Sequence, residues 1–187
     1  KVDSNLAIDD FSMTHFKNNG EKLYAISSPK SVFIRDIQIY KLDKTDIFFY
    51  EENKVNYIIN SLRSSLLINN KNIKLEGDVK LFDLNNKDNT IKANKAFWNI
   101  DKFEFVLLGD VIFNNKSVNL ICSKAVLNKN TNIIKFFKPV KYTYLNKSST
   151  LNYKSSTLNY KVKAENAFYD LKNKTLRFES KNERIKS

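Results

Sequence analysis

Two copies of one short phrase decide how this chain folds: Leu75-Glu76-Gly77-Asp78-Val79 and Leu107-Leu108-Gly109-Asp110-Val111. Their glycines lie 32 residues apart, in a chain of 187 residues that has only three glycines. A recurrence at this spacing is typical of repeat proteins, in which each supersecondary unit stacks on the next. The phrase therefore predicts a stacked repeat with a bulge or bend at each glycine. The alternative is that glycine clears space for an interior ligand.

Weaker copies of the phrase extend the repeat along the chain. Small residues at Ala93 and Ala96 have counterparts 32 residues earlier at Ser61 and Ser64. Pro139-Val140 and Asp46-Ile47 stand in the places of Asp110-Val111 and Asp78-Val79. The same alignment places residues 55–67 on a strand, although their apolar spacing on its own is that of an amphipathic helix.

Each repeat unit has the pattern of short antiparallel strands joined by polar turns. Val79-Lys80-Leu81 and Val111-Ile112-Phe113 alternate as strands do, with one face apolar or partly so. The connections are rich in Asn, Asp and Lys, which suit hairpin turns. We expect one all-β domain over 1–187, an elongated stack of antiparallel strands in repeats of about 30 residues. A perfect tandem copy, residues 148–154 and 155–161, is expected to lengthen a loop.

Composition argues against an enzyme or a metal protein. The chain has one cysteine, Cys122, and one histidine, His15, and neither lies in a recognisable nucleophile or metal motif. No cofactor or metal is expected. The net charge of +12 comes almost entirely from lysine, so a solvated lysine face is favoured over a nucleic-acid surface. A basic domain that binds single-stranded nucleic acid remains the alternative from a different class.

The opening of the chain resembles that of a known family. Residues 11–16 (FSMTHF), Asn19-Gly20 and residues 23–26 (LYAI) resemble the start of the periplasmic domain of LptC proteins, which act in lipopolysaccharide export. Ala93-x-x-Ala96 and the Gly-Asp-Val units resemble the wider LptA/LptC/OstA-type repeat. The likeness runs from about Phe11 to Phe178. LptA-like chains often carry a Gln-Gly pair in the repeat turn, and its absence here favours LptC.

The resemblance implies a fold, a function and a location. The fold is a slightly open β-jellyroll with an apolar interior. The function is to take lipopolysaccharide from the inner-membrane ABC transporter and pass it, without bond chemistry, to an LptA-like bridge protein. The location is the periplasm, with anchoring to the inner membrane through an N-terminal helix that this chain lacks. The alternative within the superfamily is that the chain is itself an LptA/OstA-like bridge.

Acyl chains leaving a membrane need a long apolar surface, since each buried CH₂ is worth about 0.8 kcal/mol. Strand alternation selects the residues expected to line such an interior groove: Phe11, Met13, Tyr24, Ile26, Phe33, Phe49, Ile59, Leu81, Trp98, Val111, Phe113, Leu120, Phe136, Tyr142 and Tyr169.

An open stack also leaves two sheet edges that can recruit further strands. The N-terminal edge near Phe16 is expected to dock to a transporter subunit. The C-terminal edge, with Val162, Ala164 and Phe178, is expected to pair with the LptA-like bridge or head-to-tail with a second copy. The charged tail, residues 181–184, would be able to block such pairing.

Overall fold

The computed structural model describes residues 5–67, 71–144 and 161–179. Over these residues it contains eleven β-strands and one 3-10 turn, Arg35–Ile37. The strands are β1 Asn5–Phe16, β2 Lys22–Ile34, β3 Ile39–Glu51, β4 Lys54–Leu67, β5 Asn72–Asp83, β6 Thr90–Asn99, β7 Glu104–Asn114, β8 Val118–Asn128, β9 Ile133–Tyr144, β10 Lys161–Asp170 and β11 Thr175–Glu179.

All eleven strands of the described residues form one antiparallel sheet in chain order, β1 to β11. This confirms the predicted all-β stack. The strand prediction for residues 55–67 is also confirmed, because they lie in β4. Their helical spacing arises because both faces of β4 carry apolar residues: Ile59 and Leu66 are buried, while Leu62 is 55% exposed on the opposite face. Most of the tandem copy and the charged tail lie outside the described residues.

A line of bulges crosses the middle of the sheet, and we call it the crease. Nearly every strand pairing shifts register or skips residues there, as between Glu76 and Val79 on β5 and between Leu108 and Val111 on β7. Both prolines, Pro29 and Pro139, lie on this line, where ladder hydrogen bonds are interrupted and a missing N–H costs little. The crease divides each long strand into two halves.

The repeated phrase marks the crease, so the predicted bulge at each glycine is confirmed. Gly77 and Gly109 have φ of +77° and +73°, and the aspartates that follow them also have positive φ. The alternative, that glycine clears room for an interior ligand, is wrong. A Cβ at Gly77 would meet Leu62 and one at Gly109 would meet Asn94, and both of these side chains lie on the outer face.

The crease folds the sheet into two facing layers. Phe49, beyond the crease on β3, contacts Trp98 of β6 and Phe105 of β7 at ring-centroid distances of 4.9 and 5.4 Å. Phe113 of β7 contacts Tyr169 of β10 at 4.7 Å. These strands are three or four places apart in the sheet, so one layer lies over the other with a stagger. The result is a creased sandwich with one continuous apolar core.

Replacing Gly109 with alanine is expected to lower the free energy of unfolding by about 1–3 kcal/mol, because the new Cβ meets Asn94 at 3.0 Å in a backbone conformation disfavoured for L-residues. Gly20→Ala is the matched control, since Gly20 also has positive φ (+84°) but has nothing within 4 Å of an added Cβ. Urea denaturation of both variants measures the difference. An equal loss in the two would show that the close approach at the crease contributes nothing.

Candidate functional site: the interior and its mouth

The interior contains the residues predicted to line a groove. Eleven of the fifteen are buried in the core: Tyr24, Ile26, Phe49, Ile59, Leu81, Trp98, Val111, Phe113, Leu120, Phe136 and Tyr169. Phe11, Met13 and Tyr142 are partly buried and pack against that core, and Phe33 is also partly buried. Strand alternation thus placed all fifteen on the inner face. Their role in binding lipid stays a prediction.

Aromatic rings fill the centre of the interior. Trp98 is fully buried and contacts Tyr24 and Phe49 edge-on, and it stacks on Phe105 at 5.3 Å. Its indole N–H makes no hydrogen bond among the described residues. The centre is therefore dry and closely packed, and a bound chain would have to part the layers or displace side chains.

Both ends of the interior are less tightly covered. At the N-terminal end, Tyr40 contacts Phe11 at 5.1 Å and Phe33 at 4.6 Å, and all three rings are partly exposed. A cavity of about 210 Å³ lies nearby, between Met13 and Leu66. At the C-terminal end, Tyr142 packs edge-on against Phe178 at 5.1 Å. The stagger of the two layers leaves these aromatic surfaces half-covered.

Opposite the crease, the turns of the two layers face each other across a cavity of about 590 Å³, which we call the mouth cleft. Its apolar residues are Phe49, Tyr57, Phe103, Leu23 and Leu171. Its polar residues are Lys17, Tyr50, Glu51, Asn56, Asp83, Asn85, Asn86, Lys129, Asn130, Asn132, Lys172 and Lys174. Because Phe49 also touches Trp98, the floor of the cleft is continuous with the aromatic centre.

Asp83 organises one rim of the cleft. It is 3% exposed and accepts hydrogen bonds from the backbone N–H groups of Asn85 and Asn86, at 3.0 and 3.1 Å, and from the Asn89 amide at 3.2 Å. Nearby, the Asn56 amide donates to Glu51. These bonds occupy much of the acceptor capacity of the two carboxylates and fix the turn between β5 and β6.

Lys129 extends from the opposite rim. Its ammonium nitrogen lies 3.5 Å from the centre of the Tyr57 ring. The same ammonium makes no hydrogen bond or ion pair within the described residues. Burial lowers the pKa of Lys129 to about 8, against the opposing attraction of Glu51 and Asp83. Burial likewise raises the pKa of Tyr57 to about 12, and the same two carboxylates add to that shift.

Replacing Lys129 with methionine is expected to stabilise the protein at pH 7 by on the order of 1–3 kcal/mol. The lysine binds its proton more weakly in the folded than in the unfolded chain. Wild-type stability should therefore rise between pH 8 and pH 10, and the variant should lack this rise. Above pH 10 the raised tyrosine pKa values act in the opposite direction in both proteins. Urea denaturation at pH 7, 8, 9 and 10 tests this, and parallel pH profiles would contradict it.

The mouth cleft was not predicted from the sequence. Lys129 is one lysine among many in an Asn-rich turn, and nothing local marks it as partly buried. The pairing of the turn after β8 with those after β3 and β5 depends on the stagger of the layers. The recurring Asx turns at Asp83, Asn115, Asn128 and Asp170 are the only local signal for this rim.

The family model for lipopolysaccharide assembly, LptC-related, matches residues 2–145 of this chain. The chain belongs to the LptC-related family. The match covers more than half of the chain and includes β1 to β9, whereas β10 and β11 lie beyond it. No curated protein matches the chain.

Membership of the LptC-related family gives this creased sandwich its biological setting. The protein takes part in lipopolysaccharide transport and assembly, on the periplasmic side of the membrane. The described residues contain no helix long and apolar enough to cross a membrane.

The two residues considered for chemistry have structural positions in this LptC-related protein. Cys122 is buried in the core, and burial raises the pKa of its thiol. His15 is exposed on β1 and stacks on Tyr24 at 5.2 Å. Among the described residues no three His, Cys, Asp or Glu side chains are grouped to hold a metal ion.

Proposed function

We propose that this LptC-related chain binds lipopolysaccharide between its two layers and passes it onward without bond chemistry. The lipid comes from the inner-membrane ABC transporter and goes to an LptA-like bridge protein. The observation that carries the proposal is the continuous apolar core, which runs from half-covered aromatic rings on β1–β3 to the Tyr142–Phe178 pair. Membership of a lipopolysaccharide-assembly family supports this choice of ligand.

The closed centre defines how transfer would occur. The layers are continuous along the crease and meet only through side chains and turns on the opposite side, so separation at the mouth cleft opens the interior without breaking the sheet. Each methylene that enters is worth about 0.8 kcal/mol, which over several acyl chains offsets the lost contacts between layers. Release at the C-terminal end then requires only that the layers close.

The fluorescence of Trp98, the single tryptophan, tests this binding mode directly. Titration with lipopolysaccharide is expected to change its emission saturably, because the ring lies in the centre of the interior. Tyr142→Ser should weaken binding several-fold, whereas Lys141→Ser, its neighbour on β9 facing outward, should not. Lipid that binds without altering Trp98 emission would exclude an interior site.

Edge pairing is the proposed means of contact with partners. Within the described residues β1 pairs only with β2, and the first half of β10, with Val162 and Ala164, pairs only with β9. Phe178 lies on the last described strand, β11, with its ring against Tyr142. The N-terminal edge would dock to a transporter subunit. The C-terminal edge would pair with the bridge protein or with a second copy.

Phe16→Asp is expected to weaken capture of the detergent-solubilised transporter about tenfold, because Phe16 is 52% exposed at the end of the β1 edge. Ile37→Asp is the control, since Ile37 is 57% exposed on the 3-10 turn away from that edge. Both changes should leave stability within about 0.5 kcal/mol of wild type. Equal capture of both variants would place the transporter contact elsewhere.

A further inference from the structure

We infer that the mouth cleft binds the anionic headgroup of the transported lipid, with Lys129, Lys172 and Lys174 as the groups that contact its phosphate or carboxylate oxygens. The inference rests on the proposed function, because it assumes that acyl chains enter between the layers. It adds the position and the chemistry of the headgroup site.

Lys129 is the first reason. A partly buried ammonium normally has an oxygen acceptor, since desolvation of a charge is costly unless hydrogen bonds replace water. Here its only recorded contact within the described residues is the Tyr57 ring at 3.5 Å. Glu51 and Asp83 face it from β3 and β5, but they bond to Asn56, Asn85, Asn86 and Asn89 instead. A ligand oxygen in the cleft would supply the missing acceptor.

The surrounding charges are the second reason. Lys172 and Lys174, on the turn between β10 and β11, line the cleft and make no ion pair with the described residues. Lys17, the fourth lysine, is bonded to Glu21 at 2.8 Å. Amide groups of Asn130 and Asn132 stand on the same rim. Three cations without a partner oxygen therefore converge on one cavity, together with amides able to donate hydrogen bonds.

The floor of the cleft is the third reason, and it distinguishes an amphiphile from a small free anion. Phe49 lines the cleft and also packs on Trp98, so the polar rim leads directly into the apolar interior. A lipid with its chains between the layers would hold its anionic sugar headgroup at this rim. Inorganic phosphate would satisfy the lysines but would leave the apolar floor uncovered.

The test compares three probes: intact lipopolysaccharide, the same material after chemical removal of its phosphates, and inorganic phosphate. Binding is measured by co-sedimentation with the full chain. Lys129→Met and the double variant Lys172→Ala/Lys174→Ala are each expected to weaken binding of intact lipopolysaccharide about tenfold. The control is Lys92→Met, since Lys92 is exposed on the outer face of β6. The dephosphorylated lipid should bind wild type about as weakly as intact lipid binds the variants.

The outcomes separate the two proposals. If wild type binds no lipopolysaccharide, the proposed function fails together with its headgroup site. If wild type binds intact and dephosphorylated lipid equally, and the cleft variants match Lys92→Met, only the headgroup inference is overturned. If inorganic phosphate displaces the intact lipid at equal concentration in a Lys129-dependent manner, the cleft is a site for the free anion, which also overturns the inference. Lys129→Gln repeats the test should the methionine variant aggregate.

Discussion

Replacing Trp98 with alanine is expected to lower the free energy of unfolding by about 3–5 kcal/mol, the largest effect of any single substitution considered. Trp98 is fully buried and contacts three other rings, which come from β2, β3 and β7. Since those strands belong to both layers, the cavity left by alanine would remove packing between the layers as well as within them.

Phe97→Ala is the matched control for this prediction. Phe97 precedes Trp98 on β6 but points outward and is 41% exposed, so its removal should cost less than about 1 kcal/mol. Chemical denaturation followed by far-ultraviolet circular dichroism compares the two variants without relying on tryptophan emission. Similar losses for Trp98→Ala and Phe97→Ala would mean that the aromatic centre does not join the layers.

The second largest effect is expected for Asp83→Ala, with a loss of about 2–4 kcal/mol. The substitution removes the acceptor for two backbone N–H groups and one amide at a position that is 3% exposed. It also removes an attraction that raises the pKa of Lys129, so that pKa should fall further. Denaturation at pH 7 and titration of the labelled lysine by nuclear magnetic resonance measure the two effects.

Asp170→Ala is the control, because Asp170 accepts the same three kinds of hydrogen bond in the turn between β10 and β11 while lying nearer the surface. Solvent can replace those bonds, so a loss of only about 0.5–1 kcal/mol is expected. A loss as large as that of Asp83→Ala would show that turn geometry, and not burial at the mouth cleft, determines the cost.

Much of the fold could be predicted from the sequence because its signals are local. Alternation at Val79-Lys80-Leu81 reports which side chains face inward, and the Gly-Asp-Val phrase reports where the strand bends. The repeat also outweighed the helical spacing of residues 55–67, which came from apolar residues on both faces of β4. In each case the controlling interaction lies within one hairpin.

The mouth cleft could not be predicted because its parts meet through the stagger of the two layers. Lys129 and Tyr57 are far apart in sequence and lie on turns and strands with unremarkable composition. Neither the period of the repeat nor the alternation within a strand states how far one layer slides over the other. Packing of large rings such as Trp98 against Phe49 sets that offset, and it is a property of the folded interior.

The central claim is that lipopolysaccharide binds between the layers. It is tested most directly by photo-crosslinking with p-azidophenylalanine placed at Phe49 or at Phe97. Phe49 is buried at the floor of the mouth cleft and Phe97 is exposed on the outer face, so both changes add the same group to the same residue type. The account predicts strong labelling from position 49 and little from position 97. Equal labelling at both positions, or labelling confined to position 97, would contradict it.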